Sequence, residues 1–305
     1  MTCAICDSPL PSPTAALRGP DRLLGTPGEF SVAVCERCGA GNTGPTVAPE
    51  ELGAYYPASY GAYGAPPSGI AGAISAAIRR WQAFVGLRTP PLSALREREP
   101  ARVVDVGCGR GDLAAALIGA AWSASGVELS EEACAVARAS TPCARAGTLA
   151  SVALEPGAYD TAVFNQSLEH LPDPVGDLRR AGEALAPGGL VLVSVPNFDS
   201  WQLRRFGSRW FHLDLPRHRV HFGERALREA LEHAGFEVIE LTTSTTPVGL
   251  PGTLQYALFG RCLFPSGIKL RVASGLATLA YPLARLLDAL RGGGDVLHAV
   301  ARKPG

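Results

Sequence analysis

The chain has 305 residues, 47% of them hydrophobic, with 28 basic and 28 acidic side chains. That apolar content supports a buried core and excludes a disordered or fibrous chain. Zero formal charge excludes a global field toward nucleic acid or an anionic membrane, so any such attraction is local.

The opening Met-Thr-Cys-Ala-Ile-Cys has no basic flank followed by an apolar run, which predicts a cytoplasmic enzyme whose eight cysteines are reduced thiols, metal ligands or redox groups. Residues 1–45 are predicted to form a small module too poor in apolar material for a core of its own. Cys3-x-x-Cys6 and Cys35-x-x-Cys38, with 28 residues between them, are turns of the kind that set thiolates tetrahedrally around structural Zn²⁺. A redox pair would need a single Cys-x-x-Cys beside a βαβ unit, which neither has. Four thiolates leave no open position for metal catalysis, and Cys108, Cys134, Cys143 and Cys262 read as small core residues. Residues 46–99 hold a linker with Tyr55, Tyr56, Tyr60 and Tyr63, then a helix marked by Ile70, Ile74, Ile78, Trp81 and Val85 that Pro90 and Pro91 stop.

From residue 100 strand and helix patterns alternate. Val103–Val106 reads as a buried strand, Leu113 to Leu117 as a helix and Ala124–Leu129 as a second strand. Ser130 before Glu131 and Glu132 starts another helix. Tyr159–Asn165 is a strand, Val175–Ala186 a helix, and Leu190–Val195 a strand after the turn Pro187-Gly188-Gly189. The helix Glu224–Ala234 and strand Phe236–Leu241 continue the rhythm, which predicts an α/β, doubly wound, mostly parallel sheet covered on both faces. An apolar insertion at 243–294 precedes a last strand, Asp295–Arg302. Its uncharged run Val272–Ala284 is too short to span a membrane, which leaves a buried helix pair or peripheral membrane contact through 248–290.

Asp105-Val106-Gly107-Cys108-Gly109-Arg110-Gly111 lies where the first buried strand turns into a helix, the place where open α/β sheets bind ligands. Glu128, 21 positions beyond Gly107, ends the next strand and can accept both hydroxyls of a ribose. A dinucleotide loop would read Gly-x-Gly-x-x-Gly, whereas here the third glycine comes one residue early and Asp105 disfavours a pyrophosphate. A sulfonium cofactor with an amino-acid tail fits better. With Tyr159–Asn165, the run Ser167-Leu168-Glu169-His170-Leu171-Pro172-Asp173-Pro174 and Leu185-Ala186-Pro187-Gly188-Gly189 following in order, the chain resembles the class I S-adenosylmethionine-dependent methyltransferases, closest to small-molecule and sugar-modifying types that include ubiquinone-pathway enzymes.

That resemblance covers about residues 100–241 and 295–302 and implies a Rossmann-like sheet of seven strands. It also implies that Asp105, Gly107, Gly109 and Gly111 wrap the methionine part, that Glu128 with Leu129 holds the ribose, and that Asn165 and Gln166 border the methyl group. Where the family often has an acidic residue for the adenine amine, this chain reads Ala146-Gly147-Thr148-Leu149.

Trp201–His221 holds five arginines against one acid, Asp214, together with Trp210, Phe211, His212, His218 and His221. Placed after the fifth strand, it is expected to grip an anionic acceptor such as a nucleotide-linked sugar or lipid-linked glycan. His218, His221 or His170 is expected to act as general base, or to brace the loop if none is needed. A zinc-ribbon RNA methyltransferase is the alternative, but Asn165-Gln166-Ser167-Leu168 replaces the Asn/Asp-Pro-Pro-aromatic of base-nitrogen enzymes, and the charge balance gives no nucleic-acid footprint. A non-catalytic cofactor-binding protein is the third reading.

Overall fold

The computed structural model describes residues 1–48, 51–57, 69, 86–141, 143–263 and 281–305. Tyr60, Tyr63, the helix expected through Ile70–Val85 and most of the Val272–Ala284 run lie outside the described residues. In chain order the strands are β1 (Arg18–Gly19), β2 (Phe30–Val34), β3 (Gly41–Gly44), β4 (Arg102–Val106), β5 (Ser123–Glu128), β6 (Ala144–Ala146), β7 (Tyr159–Asn165), β8 (Leu185–Pro196), β9 (Val220–His221), β10 (Glu237–Ser244) and β11 (Val296–Arg302).

The larger sheet has seven strands in the order β10-β11-β8-β7-β4-β5-β6. β8, β7, β4, β5 and β6 run parallel, and β11 lies antiparallel between β8 and β10. Val103, Val104, Ala162, Val163, Phe164 and Val191–Val193 are fully buried, as strands covered on both faces require. From β4 the chain winds one way through β5 and β6 and then returns to build β7 and β8 on the other side. The carboxyl end of β4 is therefore a topological switch point, where the diverging connections leave a crevice.

Among the described residues the α-helices are α1 (Asp112–Gly119), α2 (Glu131–Ala137), α3 (Pro174–Ala184), α4 (Trp201–Phe206), α5 (Glu224–His233), α6 (Gly249–Phe259) and α7 (Tyr281–Arg291), with a single α-helical turn at Leu52–Tyr55. Ser130 Oγ accepts the Ala133 amide at 3.2 Å and Asp173 Oδ1 accepts that of Gly176 at 2.9 Å, so the starts of α2 and α3 satisfy amides that lack helical partners. α5 buries Ala226, Leu227, Ala230 and Leu231 at helical spacing and keeps its charges outward.

Two elements differ from the sequence pattern. The strand expected at Leu190–Val195 begins at Leu185, because Pro187-Gly188-Gly189 stays in the ladder as an irregularity: Gly188 takes a positive φ of 73° and its amide bonds the Lys303 carbonyl at 3.1 Å. β6 is three residues of Ala-Arg-Ala, with no apolar run to mark it.

β1, β2, β3 and β9 form the smaller sheet in that order. The first three come from the N-terminal 45 residues, but β9 comes from the Trp201–His221 segment. Thr43 reinforces the seam, its amide bonding Arg219 O at 2.9 Å and its hydroxyl bonding His218 O at 2.6 Å. Cys3, Cys6, Cys35 and Cys38 pack in one core with Leu227 and Leu231 of α5. In the apolar insertion, α6 and α7 expose Leu258, Phe259, Leu286 and Leu290. Among the described residues no helix is long and apolar enough to cross a membrane.

Candidate functional site

The turn after β4 is held by its own backbone. Gly107 and Cys108 donate to Val127 O at 2.8 and 3.1 Å, and Gly111 N donates to Cys108 O at 2.8 Å. Gly107 has φ +77°, and a Cβ there would stand 2.5 Å from Ser167 Cβ, so that position needs glycine for conformation and for space. Gly111, also at positive φ, opens α1 against Ala137 and Thr141. Glu128 is buried at the end of β5, with its oxygens accepting the amides of Gly109 at 2.8 Å and Ser130 at 2.9 Å. The bonds fix the carboxylate at the mouth of the glycine turn and leave it lone pairs for further donors. Leu129, beyond it, is 63% exposed.

Above the turn lies a cavity of about 450 Å³. Its lining includes Asp105, Gly107, Gly109, Arg110, Asn165 and Gln166 together with Glu169, His170, His212, Asp214, His218 and Tyr256. Gln166, at φ +55°, is tied to β8 by its amide to Ser194 O at 2.8 Å and its Nε2 to Ser194 Oγ at 3.1 Å. Five of the residues expected from the sequence to meet the cofactor and two of the three expected at the acceptor therefore share one chamber, while Gly111, Glu128 and Leu129 do not line it. His221 does not line it: its Nε2 bonds Thr43 Oγ1 at 3.0 Å, its ring stacks on Phe198, and burial lowers its pKa to about 3. It braces the seam where β9 joins β3 in the smaller sheet.

Asp105 is buried, and burial together with the Glu128 carboxylate pushes its carboxyl up to about 7. Burial pushes the Glu169 carboxyl up to about 8, with Asp214 adding to the shift, and burial holds His218 well below its ordinary value. The His218 Nδ1–H donates to His212 O at 2.8 Å, which turns its other nitrogen toward Glu169. His170 Nδ1 lies 3.1 Å from Arg217 O and 3.0 Å from the Tyr56 hydroxyl.

The arginine-rich segment departs from expectation. Arg217 is fully buried and bonds Asp21 at 2.7 Å and Asp214 at 2.6 Å, so its charge is consumed inside the protein. Burial opposes that charge, yet the two acids hold the guanidinium above its ordinary pKa, and Arg217 in turn keeps both carboxylates ionised. Arg204 bonds the Asp199 carbonyl and Arg209 the Ala257 carbonyl. None of the five arginines lines the chamber. Their sequence proximity gave a charge cluster that the fold disperses, and Asp21 carried no signal because its partner is 196 residues away. Removing one partner of a buried ion pair leaves an uncompensated charge, so Asp21→Asn or Arg217→Leu should each cost about 3–5 kcal/mol. Chemical denaturation checks this; a loss below about 1 kcal/mol would mean that the triad is solvated like a surface pair.

Cys3 and Cys38 sulfurs lie 3.5 Å apart and those of Cys6 and Cys35 3.6 Å, with all four within 4.8 Å of one another. Disulfides would require about 2 Å. Bonds of about 2.3 Å to one tetrahedral Zn²⁺ put thiolates roughly 3.8 Å apart. The cluster thus fits a zinc-ribbon-like module.

The strand order and the glycine turn with its facing carboxylate define a class I methyltransferase fold. The chain belongs to the methyltransferase domain family, whose profile matches residues 77–241, more than half of its length. The ubiquinone biosynthesis O-methyltransferase of Thiobacillus denitrificans is 32% identical over 157 residues, covering 47% of this chain and 68% of that one. That of Ralstonia nicotianae is 32% identical over 169 residues, covering 52% and 69%. Among solved structures, the 1,6-didemethyltoxoflavin-N1-methyltransferase of Burkholderia thailandensis, with bound 1,6-didemethyltoxoflavin and S-adenosylhomocysteine, overlaps with a TM-score of 0.49 at 19% identity, over 90% of this chain and 96% of that one. The protein is an S-adenosylmethionine-dependent methyltransferase.

Proposed function

We propose that the chain methylates a hydroxyl of a small polyhydroxylated acceptor, of the sugar or phenol kind, inside the chamber above the glycine turn, and that the four cysteines hold a structural Zn²⁺. The observation that supports the acceptor reading is the shared cavity: Asp105, Gly107, Gly109, Asn165 and Gln166, which the cofactor would meet, line the same chamber as Glu169, His170 and His218. Such a wall accepts hydroxyl protons, and none of the five arginines of Trp201–His221 lines the chamber, which favours a hydroxyl-bearing acceptor over one gripped by those arginines. The similarity to ubiquinone-pathway O-methyltransferases supports oxygen as the methylated atom.

Methyl transfer needs the acceptor oxygen, methyl carbon and sulfur in line, so positioning carries most of the catalysis. The bond from oxygen to the methyl carbon forms as the carbon–sulfur bond breaks and its electron pair passes to sulfur. The acceptor proton leaves toward the Glu169–His170–His218 wall. Glu169→Gln, which keeps the shape and removes the proton-accepting carboxyl, should lower kcat by about 10²–10⁴-fold while leaving cofactor affinity intact. The assay is transfer of labelled methyl to a panel of phenols, sugars and sugar nucleotides. Label found only in phosphate-bearing acceptors would return the reading to an anionic substrate, and label in RNA to the nucleic-acid alternative.

Asp105 gives the cofactor site a pH dependence. A carboxyl raised to about 7 is neutral in the empty site below that pH, and a cationic cofactor favours its ionised form. Affinity for S-adenosylmethionine should therefore rise from about pH 5.5 to 7, by up to about tenfold per unit, and level off above. By the same linkage the ligand-free fold loses stability as pH climbs from about 4, the carboxyl's unfolded value, through 7. Titration at several pH values checks the first sign. Asp105→Asn should flatten the profile; a flat wild-type profile would place the cofactor's positive charge elsewhere.

A further inference from the structure

We propose that Glu169, His170 and His218 bind a divalent ion of the zinc or iron(II) class in the acceptor wall of the chamber, a second metal site distinct from the cysteine cluster. Glu169 is 1% exposed, and neither of its carboxylate oxygens has a hydrogen-bond partner. An unsatisfied buried carboxylate is costly, and its fold-mates supply nothing to offset it. What faces it instead is a further acceptor. His218 Nδ1–H is committed to His212 O, so its Nε2 presents a lone pair, 3.9 Å from Glu169 Oε1 and 3.9 Å from Asp214 Oδ2. That gap is too long for a hydrogen bond and suits a cation lying between the groups.

His170 completes the set. Its Nδ1 is held by the Arg217 carbonyl and the Tyr56 hydroxyl, which leaves Nε2 as its ligand atom. One donor atom from each of the three residues, a ring nitrogen in the case of each histidine, lies within 4.8 Å of the others, and a turn of the His170 ring sets its Nε2 in that place. Donors on an ion with bonds of about 2.1 Å stand roughly 3–4 Å apart, so small side-chain rotations close the set. Each histidine carries the backbone-carbonyl partner on its far nitrogen that metal-bound imidazoles use to fix tautomer and orientation. Two imidazoles and one carboxylate select a zinc- or iron(II)-class ion over magnesium, and three protein ligands leave open positions toward the cavity.

The assignment rests on the methyltransferase reading of the chamber and deepens it. With the ion bound its three ligands would no longer take the acceptor proton themselves: a hydroxyl at an open position would lose it to water near neutral pH, freeing the oxygen pair to attack the methyl carbon.

The test uses the full chain with zinc on its cysteines, titrated with Co²⁺ and followed by calorimetry and absorption. The expected result is one equivalent taken up with weak visible bands and no thiolate charge transfer in the near ultraviolet. Glu169→Gln and His218→Ala should each weaken uptake by about 10–100-fold or more while binding S-adenosylhomocysteine like the wild type, which reports that they are folded. Absence of uptake, uptake with thiolate bands only, or unchanged uptake in both folded variants would overturn the site. The readout is independent of turnover. Metal uptake without methyl transfer would count against the proposed function alone, and full methyl transfer after chelation that spares the cysteine zinc would count against the metal site alone.

Discussion

Gly107→Ala should reduce binding of S-adenosylhomocysteine by at least about 100-fold and abolish measurable methyl transfer. Two independent penalties act at this position. The residue sits at φ +77°, where an L side chain is strained, and its added Cβ would meet Ser167 Cβ at 2.5 Å and Ser167 Oγ at 3.2 Å. Ser167 has little freedom to retreat, because its hydroxyl donates to Val106 O at 2.6 Å and it leads into the turn that carries Glu169 and His170. Relief must come from the glycine turn itself, which would pull Gly109 N away from Glu128 and spoil the pocket on both sides of the ligand. Strain of about 1–3 kcal/mol plus a backbone shift at the binding surface is the physical content of that loss. Calorimetric titration measures it. Retention of wild-type affinity would mean that the ligand does not depend on this turn.

Cys38→Ser should remove the zinc that we propose for the N-terminal module and take acceptor methylation with it, although Cys38 lies outside the chamber. Structural zinc contributes on the order of 10–16 kcal/mol to small modules that lack a core, so its loss unfolds them. Here the damage spreads, because β9 pairs with β3 and Thr43 holds the carbonyls of His218 and Arg219. The segment carrying His212, Asp214 and His218 would lose its support. Zinc content, limited proteolysis and turnover should fall together, while S-adenosylhomocysteine still binds the glycine turn. A zinc-free protein with unchanged protease resistance would show that the thiols are ordinary core residues.

Most of the larger sheet is legible in the sequence because its strands, buried on both faces, read as unbroken apolar runs between glycine turns, and its helices carry period-3.6 stripes and caps. β6 escapes because three small residues at a sheet edge need no apolar signal. The glycine turn and its facing carboxylate are legible for a related reason: Asp105 to Gly111 and Glu128 are local patterns fixed by one turn and one strand end. The acceptor side is not. Which arginine faces a substrate and which is neutralised depends on contacts such as Arg217 with Asp21, and no local pattern encodes a partner 196 residues away. The same holds for His218 and His221, three residues apart in sequence, of which one faces the chamber and the other the seam. The shared sheet is likewise invisible until β9 is seen to leave the histidine segment and join strands contributed by the first 45 residues.

The most direct measurement is a crystal structure of the full chain grown with S-adenosylhomocysteine. It should show the ribose hydroxyls on Glu128, the amino-acid tail along Gly107 to Gly111, and the sulfur opening onto Asn165, Gln166 and the Glu169–His218 wall. Density for the nucleoside anywhere else on the molecule would contradict the account.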